Sequence, residues 1–182
     1  VGTACSFPAN LQESYEKRSI HENLTYPANP ESSYGWSKLM GSYELGLAKE
    51  PGKFNVGVVR FHNLYGNHIA FDPKRSQALP ALVRKAINAP NEPTVLWGTG
   101  RQYRDFLHVE DATDALLAVV DYGMNQGVVQ VGTGQATTIK DAANYVAAMA
   151  RAALGKEIVF TIDPTKPEGD KGRVADLRRA KQ

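Results

Sequence analysis

Segments with the pattern of strands alternate with segments with the pattern of helices along the whole chain. Residues 54–61 form a largely apolar, β-branched run, the type of strand that lies buried in a parallel sheet. Before it, residues 33–49 carry apolar side chains at three- and four-residue steps, with Ser32 or Ser33 as the helix cap and Pro51-Gly52 as the stop. The same reasoning predicts helices at about 79–88, 110–122 and 138–154, and strands at about 94–97, 106–109, 127–131 and 157–162. This alternation predicts an α/β protein.

Composition narrows the class of protein further. With 182 residues, 42% hydrophobic and 22% charged, the chain has the make-up of a packed protein rather than a disordered one. Its longest apolar stretches, such as 115–120, fall far short of the roughly 20 residues that cross a bilayer. A net charge of +2 with dispersed Lys and Arg gives no basic field for nucleic acid. The single cysteine, Cys5, cannot form an internal disulfide, which favours a reducing cytoplasm.

The beginning of the chain gives two further expectations. Val1 is not a methionine, and residues 1–4 resemble the end of a buried strand, so we expect the chain to be a fragment of a longer protein. Residues 8–33 are rich in Pro, Asn, Ser and Glu without a sustained period. They are predicted to form a long surface loop, and loops of this length are usually functional.

The predicted helix at 33–49 carries a tyrosine and a lysine that could act together. Tyr34 and Lys38 are four residues apart and therefore lie on one helix face. A tyrosine that exchanges protons near neutrality needs a pKa about three units below its reference of about 10, and a nearby ammonium shifts the pKa in that direction. The Tyr-x-x-x-Lys spacing is common by chance, so a surface pair is the alternative. The opposite face carries the apolar residues expected in the core: Trp36, Leu39, Met40, Tyr43 and Leu47.

Several further motifs accompany this pair in a recognisable order. They are Thr3-Ala4-Cys5, Tyr34-Gly-Trp-Ser-Lys38, Arg60-Phe-His-Asn-Leu-Tyr-Gly66, Trp97-Gly-Thr-Gly100 and Arg104-Asp-Phe-Leu-His-Val-Glu-Asp111. Together they resemble the extended short-chain dehydrogenase/reductases of the NAD-dependent epimerase/dehydratase family, over nearly the whole chain. This resemblance implies the later part of a Rossmann-type parallel sheet plus a smaller α/β substrate domain. It also implies NAD or NADP as cofactor and a nucleotide-diphosphate sugar as substrate.

The resemblance assigns a role to individual residues. Thr3 would hydrogen-bond the reacting sugar hydroxyl and Tyr34 would take its proton, while Lys38 would hold the nicotinamide ribose. Asn63 would contact the substrate, and two arginines would bind its diphosphate: Arg104 and Arg173. Taken without the resemblance, Thr3 is a local backbone partner, Asn63 a turn cap, and Arg104 with Asp105 a surface ion pair.

Cys5 bears on the reaction class. Thr3-Ala4-Cys5 resembles GDP-mannose 3,5-epimerases and GDP-fucose synthases, in which a cysteine moves protons at C3 and C5 beside a transient C4 ketone. A buried cysteine that only packs is the alternative. Those enzymes pair the cysteine with a second acid/base, where this chain has Gln77, which does not titrate. Lys74 or Arg75 would serve only with different loop spacing, so a 4-epimerase, a reductase and a decarboxylase stay open.

The remaining expectations concern organisation. Residues 1–65 are assigned to the Rossmann domain and 66–182 to the substrate domain, with segments near 104–134 returning to the sheet. The resemblance implies that the glycine-rich phosphate-binding half precedes Val1, and that the enzyme dimerises through the helix at 34–49. His62 and His108 are interpreted as structural residues without a metal, and Gly132-Thr-Gly134 as a turn. A non-catalytic dinucleotide sensor and an inactive fragment are the alternatives of another class.

Overall fold

A computed structural model describes residues 1–50 and 53–182. Its strands are β1 (Gly2–Thr3), β2 (Ser19–Ile20), β3 (Val58–Phe61), β4 (Asn63–Tyr65), β5 (Val95–Trp97), β6 (Tyr103–Arg104), β7 (Phe106–His108), β8 (Val128–Val131), β9 (Thr137–Thr138), β10 (Thr161–Asp163) and β11 (Gly172–Ala175). Its α-helices are α1 (Ser33–Ala48), α2 (Ala78–Asn88), α3 (Val109–Tyr122) and α4 (Ile139–Leu154). The α/β class predicted from the sequence is confirmed.

The strands form four sheets, and the central one is parallel. In the central sheet β3 pairs in parallel with β1 on one side and β8 on the other. Strand β4 pairs with β7, and β5 with β10, again in parallel. The four-stranded sheet has the order β2-β11-β6-β9, with only the β6–β9 pair antiparallel. Strand β8 therefore adds a segment from the second half of the chain to the sheet of β1 and β3.

Apolar side chains pack in three clusters that follow these layers. The first lies between the central sheet and α3 and contains Val59, Leu107 and Val129. The second joins α2 and α4 to β5 through Leu82, Leu96 and Ala143, and a small third cluster packs Phe7 near the chain start. Among the residues described, no helix is long and apolar enough to span a membrane.

The observed starts of the helices agree with the predicted ones better than the observed bounds of the strands do. The side chain of Ser32 accepts from Gly35 N at 3.2 Å and caps α1, and Thr138 caps α4, as predicted. The predicted stop of α1 at Pro51-Gly52 lies outside the described residues. Strand β3 is shorter than predicted and β10 begins later, because these segments pair over only three or four residues. Five strands were not predicted: β2, β4, β6, β9 and β11.

Two expectations about exposure were wrong. The segment 8–33 is not simply a surface loop: it contains β2 and two 3-10 helices, Ala9–Gln12 and Glu22–Thr25, with Gln12 and Ile20 buried. In α1, of the five predicted core residues only Leu39 is buried, at 3% exposure. The other four residues are exposed, because α1 packs through a narrow face, mainly on β1 and the 3-10 helix Ala4–Ser6. The exposed residues are Trp36, Met40, Tyr43 and Leu47.

Candidate active site

The start of helix α1 is pressed against the backbone of Cys5. A Cβ atom built on Gly35 would lie 2.3 Å from the carbonyl oxygen of Cys5 and 2.9 Å from Cβ of Pro30. Real Cβ atoms do not approach other atoms closer than about 3.0 Å, so only glycine permits this contact. The contact brings the first turn of α1, which carries Tyr34, next to the segment that carries Thr3 and Cys5.

Thr3 and Cys5 lie where β1 ends and the chain turns. Oγ1 of Thr3 accepts a hydrogen bond from the backbone N of Cys5 at 3.3 Å, and so caps the 3-10 helix Ala4–Ser6. The local backbone contact considered as an alternative for Thr3 is therefore present. It uses one lone pair of the hydroxyl, which leaves the hydroxyl able to donate to a ligand.

Tyr34 and Lys38 are both exposed on α1. The side chain of Tyr34 has 53% of its surface exposed, and neither side chain hydrogen-bonds to another residue of the described chain. Both polar ends are thus open to a ligand that would lie along the first turns of the helix. A ribose that accepts from the Lys38 ammonium and lies beside the Tyr34 phenol fits such an open pair.

Arg173 makes a different set of contacts from the predicted one. Arg173 is buried, with 7% of its surface exposed. Its Nη1 donates hydrogen bonds to Oδ2 of Asp170 and to Oε1 of Gln12, each at 2.5 Å. Its Nη2 donates to Sγ of Cys5 at 3.3 Å. The Nε atom is buried without a hydrogen-bond partner among the described residues. Arg173 thus links Cys5 to a carboxylate and an amide that the sequence analysis did not single out.

Arg104 lies beside this group with part of its guanidinium uncommitted. Its Nη1 donates to the carbonyl oxygens of Tyr103 at 2.7 Å and Asp170 at 3.1 Å. Its other nitrogens make no hydrogen bond within the described residues, so they are available to an anionic ligand. Burial, together with the positive charge of Arg173, lowers the pKa of Arg104 from its usual value. A phosphate there would offset this unfavourable pair of cations.

Glu31 and Asp170 form a pair of carboxyl groups next to the two arginines. Their hydrogen bond and the charge of Asp170 raise the pKa of Glu31 to about 7. Burial acts against ionisation of Asp170, but the hydrogen bond to Glu31 and the charges of Arg173 and Arg104 hold its pKa below the usual range. Glu31 therefore keeps its proton up to about neutral pH, while Asp170 is ionised. Sequence offered one signal for Asp170, its i, i+3 spacing to Arg173, and none for its proximity to Glu31.

Asn63 and His62 continue the chain from the end of β3. The Oδ1 atom of Asn63 is buried and has no hydrogen-bond partner among the described residues. His62 is buried and its Nε2 lies 3.1 Å from Oε1 of Gln130. Burial lowers the pKa of His62 to about 4, so its ring is neutral at physiological pH. No cluster of three metal-ligating side chains occurs in the parts of the chain described.

Asp105 is a structural centre rather than a surface partner of Arg104. Its side chain is 0% exposed and accepts four hydrogen bonds, from Thr133 N and Oγ1 at 2.7 Å and from the backbone N of Gly134 and Ala175 at 3.0 Å. The alternative of a surface ion pair was wrong, because Arg104 donates elsewhere. The segment 132–134 wraps this carboxylate, and a Cβ atom on Gly132 would lie 2.4 Å from Oδ2 of Asp105.

The side chains of Gln77 and Lys74 make no hydrogen bond to the group around Cys5 among the described residues. Gln77 is exposed and precedes α2 without a side-chain capping bond. Lys74 is also exposed, and its backbone N donates to Asp72 Oδ1 at 2.8 Å. The titrating groups that do lie beside Cys5 are those of the Arg173 network.

Comparison with known proteins identifies the family. Residues 1–132 match the NAD dependent epimerase/dehydratase family. A probable GDP-L-fucose synthase 1 of Oryza sativa subsp. japonica is 30% identical over 188 residues, which cover 100% of this chain and 55% of that protein. A dTDP-4-dehydro-6-deoxy-D-allose reductase of Streptomyces bikiniensis is 30% identical over 165 residues, covering 91% and 48%. The chain thus spans about half the length of the curated relatives it matches.

Solved structures share the fold. A GDP-L-fucose synthetase from Naegleria fowleri bound to NADP superposes with a TM-score of 0.78 at 21% identity, covering 98% of this chain and 57% of that one. A UDP-glucose 4-epimerase from Thermotoga maritima, in complex with UDP-glucose, gives a TM-score of 0.77 at 21% identity, covering 96% and 54%. The resemblance inferred from the motifs is confirmed: this chain belongs to the NAD dependent epimerase/dehydratase family.

Proposed function

We propose that this chain forms the substrate-converting half of an NAD(P)-dependent nucleotide-sugar epimerase. In this proposal Tyr34 exchanges a proton with the C4 hydroxyl of the sugar, and Thr3 hydrogen-bonds the same hydroxyl. The observation that carries the proposal is the contact of Gly35 with the Cys5 carbonyl, because it holds the Tyr34 turn of α1 against the strand end of Thr3. A binder without turnover would have no use for this proximity.

Tyr34 and Lys38 fit a dinucleotide because both are exposed and have no partner within the described part of the chain. When bound, NAD or NADP supplies reversible oxidation at C4. Lys38 would donate to the nicotinamide ribose, since its ammonium carries three N–H donors. Two relatives of known structure were solved with NADP, the GDP-L-fucose synthetase of Naegleria fowleri and a GDP-mannoheptose C4 reductase of Campylobacter jejuni.

The substrate would lie across the Arg104 edge. The nitrogens of Arg104 that have no described partner could donate hydrogen bonds to a diphosphate oxygen. The Oδ1 atom of Asn63, which has no described partner, could accept a hydrogen bond from a hydroxyl of the substrate. Arg173 was predicted to bind the diphosphate as well. Three of its five N–H groups already donate to Asp170, Gln12 and Cys5, so we propose that Arg173 serves the substrate mainly through Cys5.

Cys5 is proposed as the acid/base at C3 or C5. A thiol can take and return a proton, and carbons next to a C4 ketone release protons readily. Substrate incubated in heavy water with the complete enzyme should gain deuterium at these carbons. Cys5→Ser should abolish the exchange and spare oxidation at C4, which the absorbance of the dinucleotide reports. Unchanged exchange in Cys5→Ser would refute the role.

A reductase is the second candidate. A relative named dTDP-4-dehydro-6-deoxy-D-allose reductase favours it, as does the non-titrating side chain of Gln77. The heavy-water experiment separates the candidates: a reductase that acts at C4 alone, or a simple 4-epimerase, gives no deuterium at C3 or C5. A decarboxylase would instead release carbon dioxide.

The wider assembly is also proposed. We infer that residues 1–65 complete a Rossmann domain and that 66–182 form most of a substrate domain, with β8 adding to the first. The exposed apolar residues of α1 could form a homodimer interface, and they include Leu45, which lies outside the face of Trp36, Met40, Tyr43 and Leu47. Light scattering of the complete enzyme at micromolar concentration tests this, with a monomer as the refuting result. A cytoplasmic location is proposed from the single cysteine.

A further inference from the structure

Gln12 lies in the segment between β1 and α1 and is buried, with 1% of its surface exposed. It is the last residue of the 3-10 helix Ala9–Gln12. A buried side-chain amide needs partners for its N–H groups and for its oxygen, because a buried polar atom without a partner costs free energy. The partners of Gln12 therefore show which parts of the fold this side chain holds together.

The amide nitrogen of Gln12 binds the chain just after Cys5. Its Nε2 donates to the carbonyl oxygen of Phe7 at 3.1 Å and to that of Pro8 at 3.4 Å. Phe7 is fully buried, and its backbone N donates to the carbonyl oxygen of Ala4 at 3.2 Å. The amide of Gln12 thereby holds the end of the turn in which Cys5 lies.

The amide oxygen of Gln12 binds Arg173, which in turn contacts Cys5. Oε1 of Gln12 accepts a hydrogen bond from Nη1 of Arg173 at 2.5 Å. Nη2 of the same guanidinium donates to Sγ of Cys5 at 3.3 Å. The backbone is tied at the same place, since the carbonyl oxygen of Gln12 accepts from the backbone N of Lys171 at 2.8 Å. Gln12 thus shares with Asp170 the task of holding the Arg173 guanidinium.

These contacts close a ring. It runs from Sγ of Cys5 through the guanidinium of Arg173 to the amide of Gln12, and returns through the Phe7 carbonyl and two peptide bonds. Within the ring Gln12 donates on one side and accepts on the other. A carboxylate of the same length could only accept, and an apolar side chain could do neither. The N–H groups of a guanidinium have a fixed planar geometry, so a bond that holds Nη1 also sets the direction of Nη2 towards the sulfur.

We propose that Gln12 is a positioning residue that sets the guanidinium of Arg173 against Cys5 and thereby fixes where the thiol meets a substrate carbon. This inference rests on the proposed role of Cys5 in proton exchange at C3 or C5. Oxidation at C4 depends instead on Thr3 and Tyr34, to which Gln12 makes no hydrogen bond among the described residues. Loss of the Gln12 amide should therefore impair exchange at C3 or C5 and spare oxidation at C4.

The test measures two reactions of the complete enzyme, which are deuterium entry from heavy water and reduction of the dinucleotide. Gln12→Met keeps roughly the size of the side chain and removes both of its hydrogen-bonding functions. The ratio of deuterium entry to C4 oxidation should fall at least about tenfold, because a displacement of about 1 Å at the reacting group costs on the order of a hundredfold in rate. Gln12→Asn is one methylene too short to reach both partners. It should lower the same ratio, and it replaces the methionine variant if that variant does not fold.

Gln130→Met is the matched control. Gln130 is 0% exposed and its Nε2 donates to the carbonyl oxygens of Ile20 and Asp176, so the substitution removes a buried amide of the same kind. These partners lie outside the ring that contains Cys5. The control should lose stability and keep the wild-type ratio of the two reactions. A ratio that is unchanged in Gln12→Met, or that falls equally in the control, would overturn the inference.

A double-mutant cycle shows whether Gln12 acts through Arg173. If it does, Gln12→Met combined with Arg173→Met should lose no more exchange than Arg173→Met alone. Two independent effects would instead multiply, and that result would exclude the positioning role.

Crystal structures of the variants give a readout without turnover. The contact between Nη2 of Arg173 and Sγ of Cys5 should be lost in Gln12→Met and kept in Gln130→Met. A contact that stays at 3.3 Å in Gln12→Met would contradict the proposal. By contrast, a wild-type enzyme that exchanges no deuterium, or exchange that survives Cys5→Ser, would refute the proposed function. The crystal structures would then still decide whether Gln12 positions Arg173.

Discussion

Gly35→Ala tests how closely the catalytic turn of α1 must approach Cys5. The new Cβ would stand 2.3 Å from the Cys5 carbonyl oxygen, whereas ordinary contacts of a Cβ atom begin at 3.4 Å. The backbone around Cys5 or the start of α1 must therefore shift by roughly 1 Å, since Pro30 blocks the neighbouring direction at 2.9 Å. Such a shift moves Tyr34 relative to Thr3.

The expected effect on turnover exceeds the effect on stability. A displacement of about 1 Å between reacting groups costs on the order of a hundredfold in rate, so kcat should fall by about that factor. Overpacking costs about 1–3 kcal/mol, and alanine returns about 1 kcal/mol in helix propensity, so the net loss in unfolding free energy should be about 0–2 kcal/mol. Steady-state kinetics and urea unfolding of the same preparation measure both.

Gly46→Ala is the matched control in the same helix. A Cβ on Gly46 meets nothing within 4 Å, so this variant should gain about 0.5–1 kcal/mol in stability and retain full activity. The reasoning would be refuted if Gly35→Ala kept wild-type kcat while folding normally. It would also be refuted if Gly46→Ala lost as much activity as Gly35→Ala, because the helix rather than the contact would then be responsible.

Three further substitutions separate binding, chemistry and folding. Tyr34→Phe should lower kcat about a hundredfold with little change in substrate affinity, because it removes proton transfer; a larger effect on KM would contradict this. Arg104→Ala should raise KM about tenfold or more, measured by the same kinetics, since it removes a charge-assisted bond to phosphate; unchanged KM would exclude Arg104 from the site. Asp105→Asn should cost about 3 kcal/mol of unfolding free energy in denaturant titration, because two buried backbone donors would face an amide; a loss below about 1 kcal/mol would contradict the network.

The sequence predicted the elements whose signals are local. Ser32 and Thr138 were identifiable as helix caps because a capping side chain acts within three residues of itself. The apolar run before Phe61 was identifiable as a buried strand for the same reason. Strands β4, β6, β9 and β11 contain only two to four residues each, and so few residues cannot show a period of two.

Exposure could not be predicted from the pattern of α1. The spacing of Trp36, Leu39 and Met40 is that of a buried helix face, yet only Leu39 is buried. Periodicity reports that a face is apolar, not which partner covers it. Among the described residues, α1 packs mainly against β1 and the segment Ala4–Ser6, and this contact buries only a narrow part of its apolar face.

The partners of Arg173 could not be predicted from its motif, although its presence in the site was. The motif predicted a phosphate-binding guanidinium, and the guanidinium is present in the site. Its position follows from the pairing of β11 with β6, which sets Arg173 level with Arg104. Once there, two arginines side by side need negative partners, because like charges in a half-buried site repel. Asp170 and Glu31 meet that need from segments 139 residues apart. Since the acidic partners and Cys5 occupy Arg173, Arg104 is left as the arginine that a diphosphate can reach.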